Sequence, residues 1–218
     1  MRVRRSNRFF STLLVIAIVV FTLTASISLP IYIRPFYYAH VDLMDMEYWG
    51  EEPEDIIEAY DEVLNFLTLK DREFGTGKLD HSEEGKKHFE DCKVLFDLNK
   101  NALFISFGLI VFIMILSKLR IIKLARPKGY PLSFVAGVST LVLCAVVGLL
   151  ASIDFSIAFT VFHKIFFPGK DNWVFDPSDD PIIYFMPQEF FRNCAILIGA
   201  SILIFSLFFM IRGIKKRR

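Results

Sequence analysis

Four stretches of the chain, residues 9–33, 101–117, 129–153 and 193–211, contain no charged residue. Each is long enough, or nearly so, to carry a helix across about 30 Å of hydrocarbon. The shortest, 101–117, is followed by Lys118 and Arg120, whose long stems can reach back to the interface. A soluble domain spreads its apolar residues along a helix or strand period and does not gather them in runs of about 20. The pattern predicts a mainly α, integral membrane protein. Its transmembrane helices are expected at 9–30, 101–121, 131–153 and 193–211.

The polar stretches between these runs have patterns of their own. Residues 51–70 (EEPEDIIEAYDEVLNFLTLK) place Ile56, Tyr60, Val63, Leu64 and Leu67 at i, i+4, i+7, i+8 and i+11, one stripe of an amphipathic helix. Pro53 falls in its first turn, among acids that favour the positive end of the helix dipole. FGTG at 74–77 is a turn. Asp80 followed by Glu83 looks like a capping box opening another helix. No proline then interrupts the path into the second span, so that helix should continue out of the bilayer. It would carry His88 about 20 Å above Asn101 if straight. Residues 154–192 hold far more Phe, Tyr and Trp than an exposed loop tolerates, so they lie in the lipid interface or line an apolar pocket.

Charge orders these pieces. The 25 Lys and Arg nearly balance the 24 Asp and Glu, yet all the acids and all four His fall within 31–100 and 154–192. The segments 1–8, 118–128 and 212–218 are basic and acid-free. Lys and Arg in short flanking segments stay cytoplasmic. The expected layout is a basic cytoplasmic N-terminus (1–8), helix 1 (9–30) and a small extracytoplasmic cap (31–100). Helix 2 (101–121), a cytoplasmic loop (122–130), helix 3 (131–153) and an aromatic extracytoplasmic loop (154–192) follow. Helix 4 (193–211) and a basic cytoplasmic tail (212–218) complete it. Both termini are cytoplasmic, and the first run is a retained anchor rather than a cleaved signal. The three Cys, at 92, 144 and 194, do not make a disulfide framework, and Cys92 is expected to be packed and inert.

No GxSxG elbow, P-loop, HExxH or CxxC occurs. His81 and His88 are about 10 Å apart along a helix, too far to share a metal ion, and no metal or cofactor is expected. The uncharged runs offer no ionisable path for a transporter. Beyond the cytoplasmic segments, which suit anionic lipid, no basic face invites nucleic acid. His88 and His163 stand out. One precedes the second span and the other follows the third. Those spans are joined by a short loop, so their outer ends should be neighbours and the two imidazoles could converge. Imidazole is suited to moving protons near neutral pH. The plainer reading is an interfacial histidine satisfied by an acid such as Glu90 or Asp91.

The motifs around these histidines resemble one family. HFEDCKVLF (88–96) is similar to H-x-x-D-V-K-x-L-F, with Cys92 in place of Val. FHKIFFPGKDNWVFDPSDDPIIYFMPQEFF (162–191) is similar to F-H-x-x-F-F-x-G, then W-x-F-D-P, then P-x-x-F-F. On these grounds the chain resembles the bacterial lipoprotein intramolecular transacylases. The resemblance implies transfer of the sn-2 acyl chain of a diacylglyceryl-cysteine lipoprotein to the α-amino group of the same Cys, giving lyso-form lipoprotein. Attack of that nitrogen closes an eight-membered ring, which a flexible substrate closes poorly unless it is folded by the enzyme. The resemblance makes His88 and His163 the catalytic pair. Asp91 would orient His163 or the amine, and Lys93 would donate to the oxyanion. Phe162, Phe166, Trp173 and Phe175 would confine the substrate. The implied setting is the bacterial cytoplasmic membrane, with a diacylated lipoprotein and membrane lipid as partners and a monomeric enzyme. The alternative is a non-catalytic protein whose outward cap binds lipid or a partner.

Overall fold

The computed structural model describes residues 7–44 and 50–215; much of the basic N-terminus and the end of the basic tail lie outside them. Among the described residues the chain is helical, with an isolated bridge between Asn7 and Leu124 as its strand-like pairing. In order the helices are α1 (Arg8–Tyr32), α2 (Pro35–Val41), α3 (Pro53–Thr68), α4 (Glu83–Lys118), α5 (Leu132–Ile153), α6 (Phe155–Phe166), the single turn α7 (Ile182–Phe185) and α8 (Gln188–Lys215). A 3-10 turn, Pro127–Gly129, lies between α4 and α5. Four of them, α1, α4, α5 and α8, are long and apolar enough to cross a membrane.

The chain divides into two units, Met1–Ser28 with Asn99–Leu149 and Leu197–Arg218, and Leu29–Leu98 with Leu150–Ile196. The first contains most of the uncharged runs. Its interior joins Leu14 and Ile18 of α1, Ile113 of α4, and Leu132 and Ala136 of α5. Small residues let helices approach closely: a Cβ on Gly137 would meet the Ser206 carbonyl oxygen at 2.7 Å, and one on Gly213 would meet Phe134 Cβ at 2.9 Å. Buried hydroxyls bond back to the preceding turn, as Thr22 does to Ile18 O and Thr140 to Ala136 O. Outward-facing side chains such as Phe104, Ile105, Val147 and Ile204 stay exposed, as lipid contact requires.

The second unit has a core of its own. The expected stripe of α3 (Ile56, Tyr60, Val63, Leu64 and Leu67) is buried. Pro53 opens the helix after an extended Glu52, and Glu54 and Asp55 fill the first turn. Tyr37 of α2 stacks on Tyr60 at 3.6 Å and 9°, and its hydroxyl donates to Phe185 O at 3.0 Å. Arg34 bonds Asp61 at 2.8 Å and Asn65 at 2.7 Å, tying the start of α2 to α3.

The sequence pattern puts the start of α4 at Asp80; the structure begins it at Glu83, with Ser82 as the cap. Ser82 Oγ accepts from Gly85 N at 2.9 Å and donates to Asp180 Oδ2 at 2.6 Å, and Ser82 N donates to Asp180 Oδ1 at 2.9 Å. A residue 98 positions away thus completes the cap, which no local motif reveals. Gly85 is required there, since an added Cβ would lie 2.3 Å from Asp180 Oδ1. The aromatic stretch contains a helix, α6, that the sequence reading did not separate from loop. Its signal was present: Phe155, Phe159, Phe162, His163 and Phe166 follow a helical period, and Asp154 Oδ1 caps the start by accepting from Ile157 N at 3.1 Å.

Candidate active site

The site is built within the second unit from α4, α6 and the turn after α6. α4 runs unbroken from Glu83, so its charged first half, 83–100, is a rigid post outside the uncharged run. His88 stands on this post and His163 on α6, and their ring centroids are 5.8 Å apart at 32°. Each is only 7% exposed.

The two imidazoles share an aromatic box. Phe167 lies 5.0 Å from His88 and 5.8 Å from His163, and is buried against both. Phe175 meets His88 edge-on at 5.5 Å. Trp173 stacks on His163 at 4.6 Å and 25°, and Phe159 lies 4.3 Å from the same imidazole. Phe162 contacts His163 edge-on at 5.4 Å. Phe166 touches Phe162 rather than an imidazole. Phe159 and Phe167, which sequence reasoning left out of the site, belong in the box.

Hydrogen bonds decide what each imidazole can do. His163 Nδ1 lies 2.7 Å from Phe159 O, one turn back in α6. A carbonyl can only accept, so Nδ1 carries the proton and Nε2 of the neutral ring keeps its lone pair. His88 Nε2 lies 3.4 Å from Cys92 Sγ, and His88 Nδ1 is buried with no partner among the described residues. Burial pushes the Cys92 thiol up to about 12, so it stays protonated at neutral pH and can donate to Nε2. With the thiol as donor, His88 carries its proton on Nδ1, an N–H without a partner among the described residues.

Burial also holds both imidazoles below their ordinary range. His88 is lowered to about 4, by burial first and by the nearby His163 second, with Asp91 opposing. For His163 burial outweighs the bond to the Phe159 carbonyl. The pair is therefore neutral near pH 7.

Asp91 does not touch either histidine ring through a hydrogen bond. Its carboxylate accepts from Lys170 Nζ at 2.5 Å and from Asn172 Nδ2 at 3.1 Å. Partial burial works against ionisation, but these bonds outweigh it and hold the carboxyl below the usual range. Trp173 Nε1 in turn donates to Lys170 O at 3.0 Å. Asp91 thus pins the turn that lays Trp173 and Phe175 on the imidazoles. Lys93, expected as an oxyanion donor, points elsewhere: its ammonium donates to Phe66 O and, at 2.9 Å, to Leu69 O, where a cation suits the carbonyl end of α3. Cys92 and Cys194 are free thiols packed against the same core. Among the described residues no group of three or more His, Cys, Asp or Glu converges in a way that could hold a metal ion.

The fold is shared with solved structures. The membrane integral lipoprotein intramolecular transacylase Lit from Bacillus cereus superposes with a TM-score of 0.85 at 24% identity, covering 96% of both chains. Two structures of that protein with one histidine replaced, by arginine and by alanine, each give 0.79 over 96% of this chain. They cover 92% and 94% of those chains, again at 24% identity. A comparison with curated proteins found no match. The family described as lipoprotein intramolecular transacylase Lit matches residues 12–191, which include every helix of the site, and the chain belongs to that family of membrane acyltransferases.

Proposed function

We propose that the chain moves the sn-2 acyl group of a diacylglyceryl-cysteine lipoprotein onto the α-amino group of the same cysteine, with His163 and His88 handling the protons. The observation that carries this reading is two imidazoles, 5.8 Å apart, buried in an aromatic box. In the reaction the α-nitrogen attacks the ester carbon, a C–N bond forms, and the C–O bond to the glyceryl oxygen breaks. His163 Nε2 accepts the proton lost by the amine and returns one to the departing glyceryl oxygen. His88 Nδ1–H donates to the tetrahedral oxyanion, a charge its apolar surroundings make it strongly favourable to stabilise. No acyl-enzyme is needed, because nucleophile and electrophile belong to one substrate.

The aromatic rings fold that substrate. Closing the eight-membered ring is slow in a flexible chain, and confinement supplies the missing orientation. Substrate must displace Trp173 and Phe175 to reach the imidazoles, so the turn pinned by Asp91 acts as a lid. Phe162 and Phe166, 46% and 47% exposed, present an apolar surface for acyl chains beside it. The positive-inside bias supports an orientation with both termini in the cytoplasm and the histidines on the extracytoplasmic side; the enzyme is read as a monomer of the bacterial cytoplasmic membrane.

Purified protein incubated with a synthetic diacylated lipopeptide tests this. Total mass is unchanged by an intramolecular transfer, so fragmentation must locate the acyl chain on nitrogen. Wild type should convert the peptide, and His88→Ala and His163→Ala should not. Full conversion by either variant sinks the proposal.

A further inference from the structure

The unit made of Met1–Ser28, Asn99–Leu149 and Leu197–Arg218 holds a feature that the reaction does not use. A cavity of about 710 Å³ is lined by the cations Arg8, Arg126 and Lys128 together with the apolar Val15, Leu132 and Val135. That size falls within the range of about 300–1,000 Å³ usual for small-molecule sites. The cationic rim is held in place before anything binds. Asn7 N donates to Lys123 O at 2.7 Å, and Ala125 N donates to Ser11 Oγ at 2.7 Å, so the loop bearing Arg126 and Lys128 is fastened to the start of α1. Lys128 itself sits at φ +49°, ψ +29°, a left-handed conformation that a non-glycine residue holds only when its surroundings impose it.

The charge has no internal answer. This unit contains no Asp or Glu at all, so no side-chain carboxylate of its own can neutralise the three cations. The counter-charge must come from outside. A small soluble anion would leave the Val15, Leu132 and Val135 wall unused, whereas a lipid phosphate brings both an anion and hydrocarbon. Basic pockets between membrane helices on the cytoplasmic side suit anionic headgroups.

We propose that this cavity binds one anionic phospholipid, its phosphate on Arg8, Arg126 and Lys128 and its glyceryl backbone and first methylenes against Val15, Leu132 and Val135. The site is separate from the histidines and stands whether or not they are catalytic.

Native mass spectrometry of the full chain in detergent, titrated separately with phosphatidylglycerol, phosphatidylcholine and inorganic phosphate, tests it. Wild type should retain one phosphatidylglycerol and discriminate against phosphatidylcholine. The triple variant Arg8→Gln, Arg126→Gln, Lys128→Gln should bind phosphatidylglycerol about a hundredfold more weakly, as expected for three cations near a lipid phosphate. Val135→Trp should also weaken binding, with every charge intact, by filling the apolar side. The control Lys118→Gln, Arg120→Gln, Arg212→Gln removes as much charge elsewhere in the unit and should bind like wild type. Thermal melts identify any variant that fails to fold, and single Lys128→Gln then replaces the triple. Equal loss in the control, equal binding of phosphatidylcholine, or inorganic phosphate binding as tightly as the lipid would each overturn the proposal.

Discussion

The unit of Met1–Ser28, Asn99–Leu149 and Leu197–Arg218 contains no acid and no histidine, while the unit of Leu29–Leu98 and Leu150–Ile196 contains all 24 acids and all four His. Their packing differs as sharply. The first relies on small residues and close backbone approach, with hydroxyls bonded to their own helix and a few bonds between segments, such as Ala125 to Ser11 and Asn99 to Ser28. The second relies on stacked aromatics and on polar bonds between distant segments, such as Asp91 to Lys170 and Ser82 to Asp180. In lipid a polar side chain without a partner is costly, so spans keep their polar groups few; Thr22, Ser28 and Thr140 bond back to their own helices, while Ser26 and Ser206 are buried without a partner among the described residues. In the second unit, long-range polar bonds fix the turn that lies on the two imidazoles. The first unit holds most of the apolar spanning surface; the second holds the paired histidines.

The largest expected effect breaks this contrast outright. His88→Ala or His163→Ala should cut turnover of a diacylated lipopeptide by about 10²–10⁴-fold, the span usual for general acid–base groups, measured as N-acyl product by fragment mass spectrometry. Each variant should still span the membrane and melt as one species. An equal loss from Phe104→Leu, a lipid-facing change in the first unit, would contradict the division of labour.

Acid should act on the second unit. His88 is lowered from 6.5 to about 4, so below pH 6.5 the unfolded chain takes up a proton that the folded chain refuses until about pH 4. Stability is therefore full above 6.5, declines as pH falls through that window, and flattens below it. The contribution of His88 is about 3 kcal/mol at 1.36 kcal/mol per pKa unit. Melts of wild type and His88→Phe at pH 7, 5.5 and 4 should differ in slope, with the wild type losing more. Parallel curves would show that His88 is not held neutral.

A pair of glycines sharpens the comparison. Gly137→Ala forces a Cβ toward a backbone oxygen in the first unit and should cost about 1–3 kcal/mol, leaving turnover of the folded fraction unchanged. Gly85→Ala forces one onto Asp180 in the second unit, loosens the cap of α4 and should lower stability and turnover together. Unchanged turnover in Gly85→Ala would mean that the Ser82 cap does not hold His88 in place.

Smaller effects are expected at the lid and at Cys92. The Asp91 to Lys170 pair is half exposed, and such pairs contribute about 1 kcal/mol or less. Lys170→Met should therefore change turnover by only about fivefold while raising the exposure of Trp173, read as fluorescence quenching by iodide. Cys92→Val keeps an apolar side chain of similar size and removes only a weak thiol donor to His88, so turnover should stay within about threefold of wild type. A hundredfold loss would give Cys92 a part in the chemistry.

Much of this was legible in the residue order. The four uncharged runs announce their helices, and the stripe on α3 is the stripe that is buried. Membership in a transacylase family sets aside the non-catalytic alternative. Where structure and residue order differ, the cause is shared. An aromatic-rich stretch hides the helical period that places Phe159 and Phe167 beside His163 and His88. Chemical type suggests an oxyanion donor at Lys93, and its ammonium goes to α3 carbonyls brought near by folding. Asp80 looked like the cap because it has the right local spacing; Ser82 won because Asp180 was there to receive its hydroxyl.

By itself the sequence determined the spans, the sorting of charge between two regions and the two histidines worth pairing, because hydrophobic runs, charge and helical period act over a few residues. Tertiary structure alone decided that His163 Nδ1 is spent on a carbonyl, that His88 Nδ1 is buried without a partner among the described residues, and that Asp91 clamps a turn 79 residues away. Those outcomes depend on which buried polar groups meet after packing, and burial makes each meeting energetically decisive.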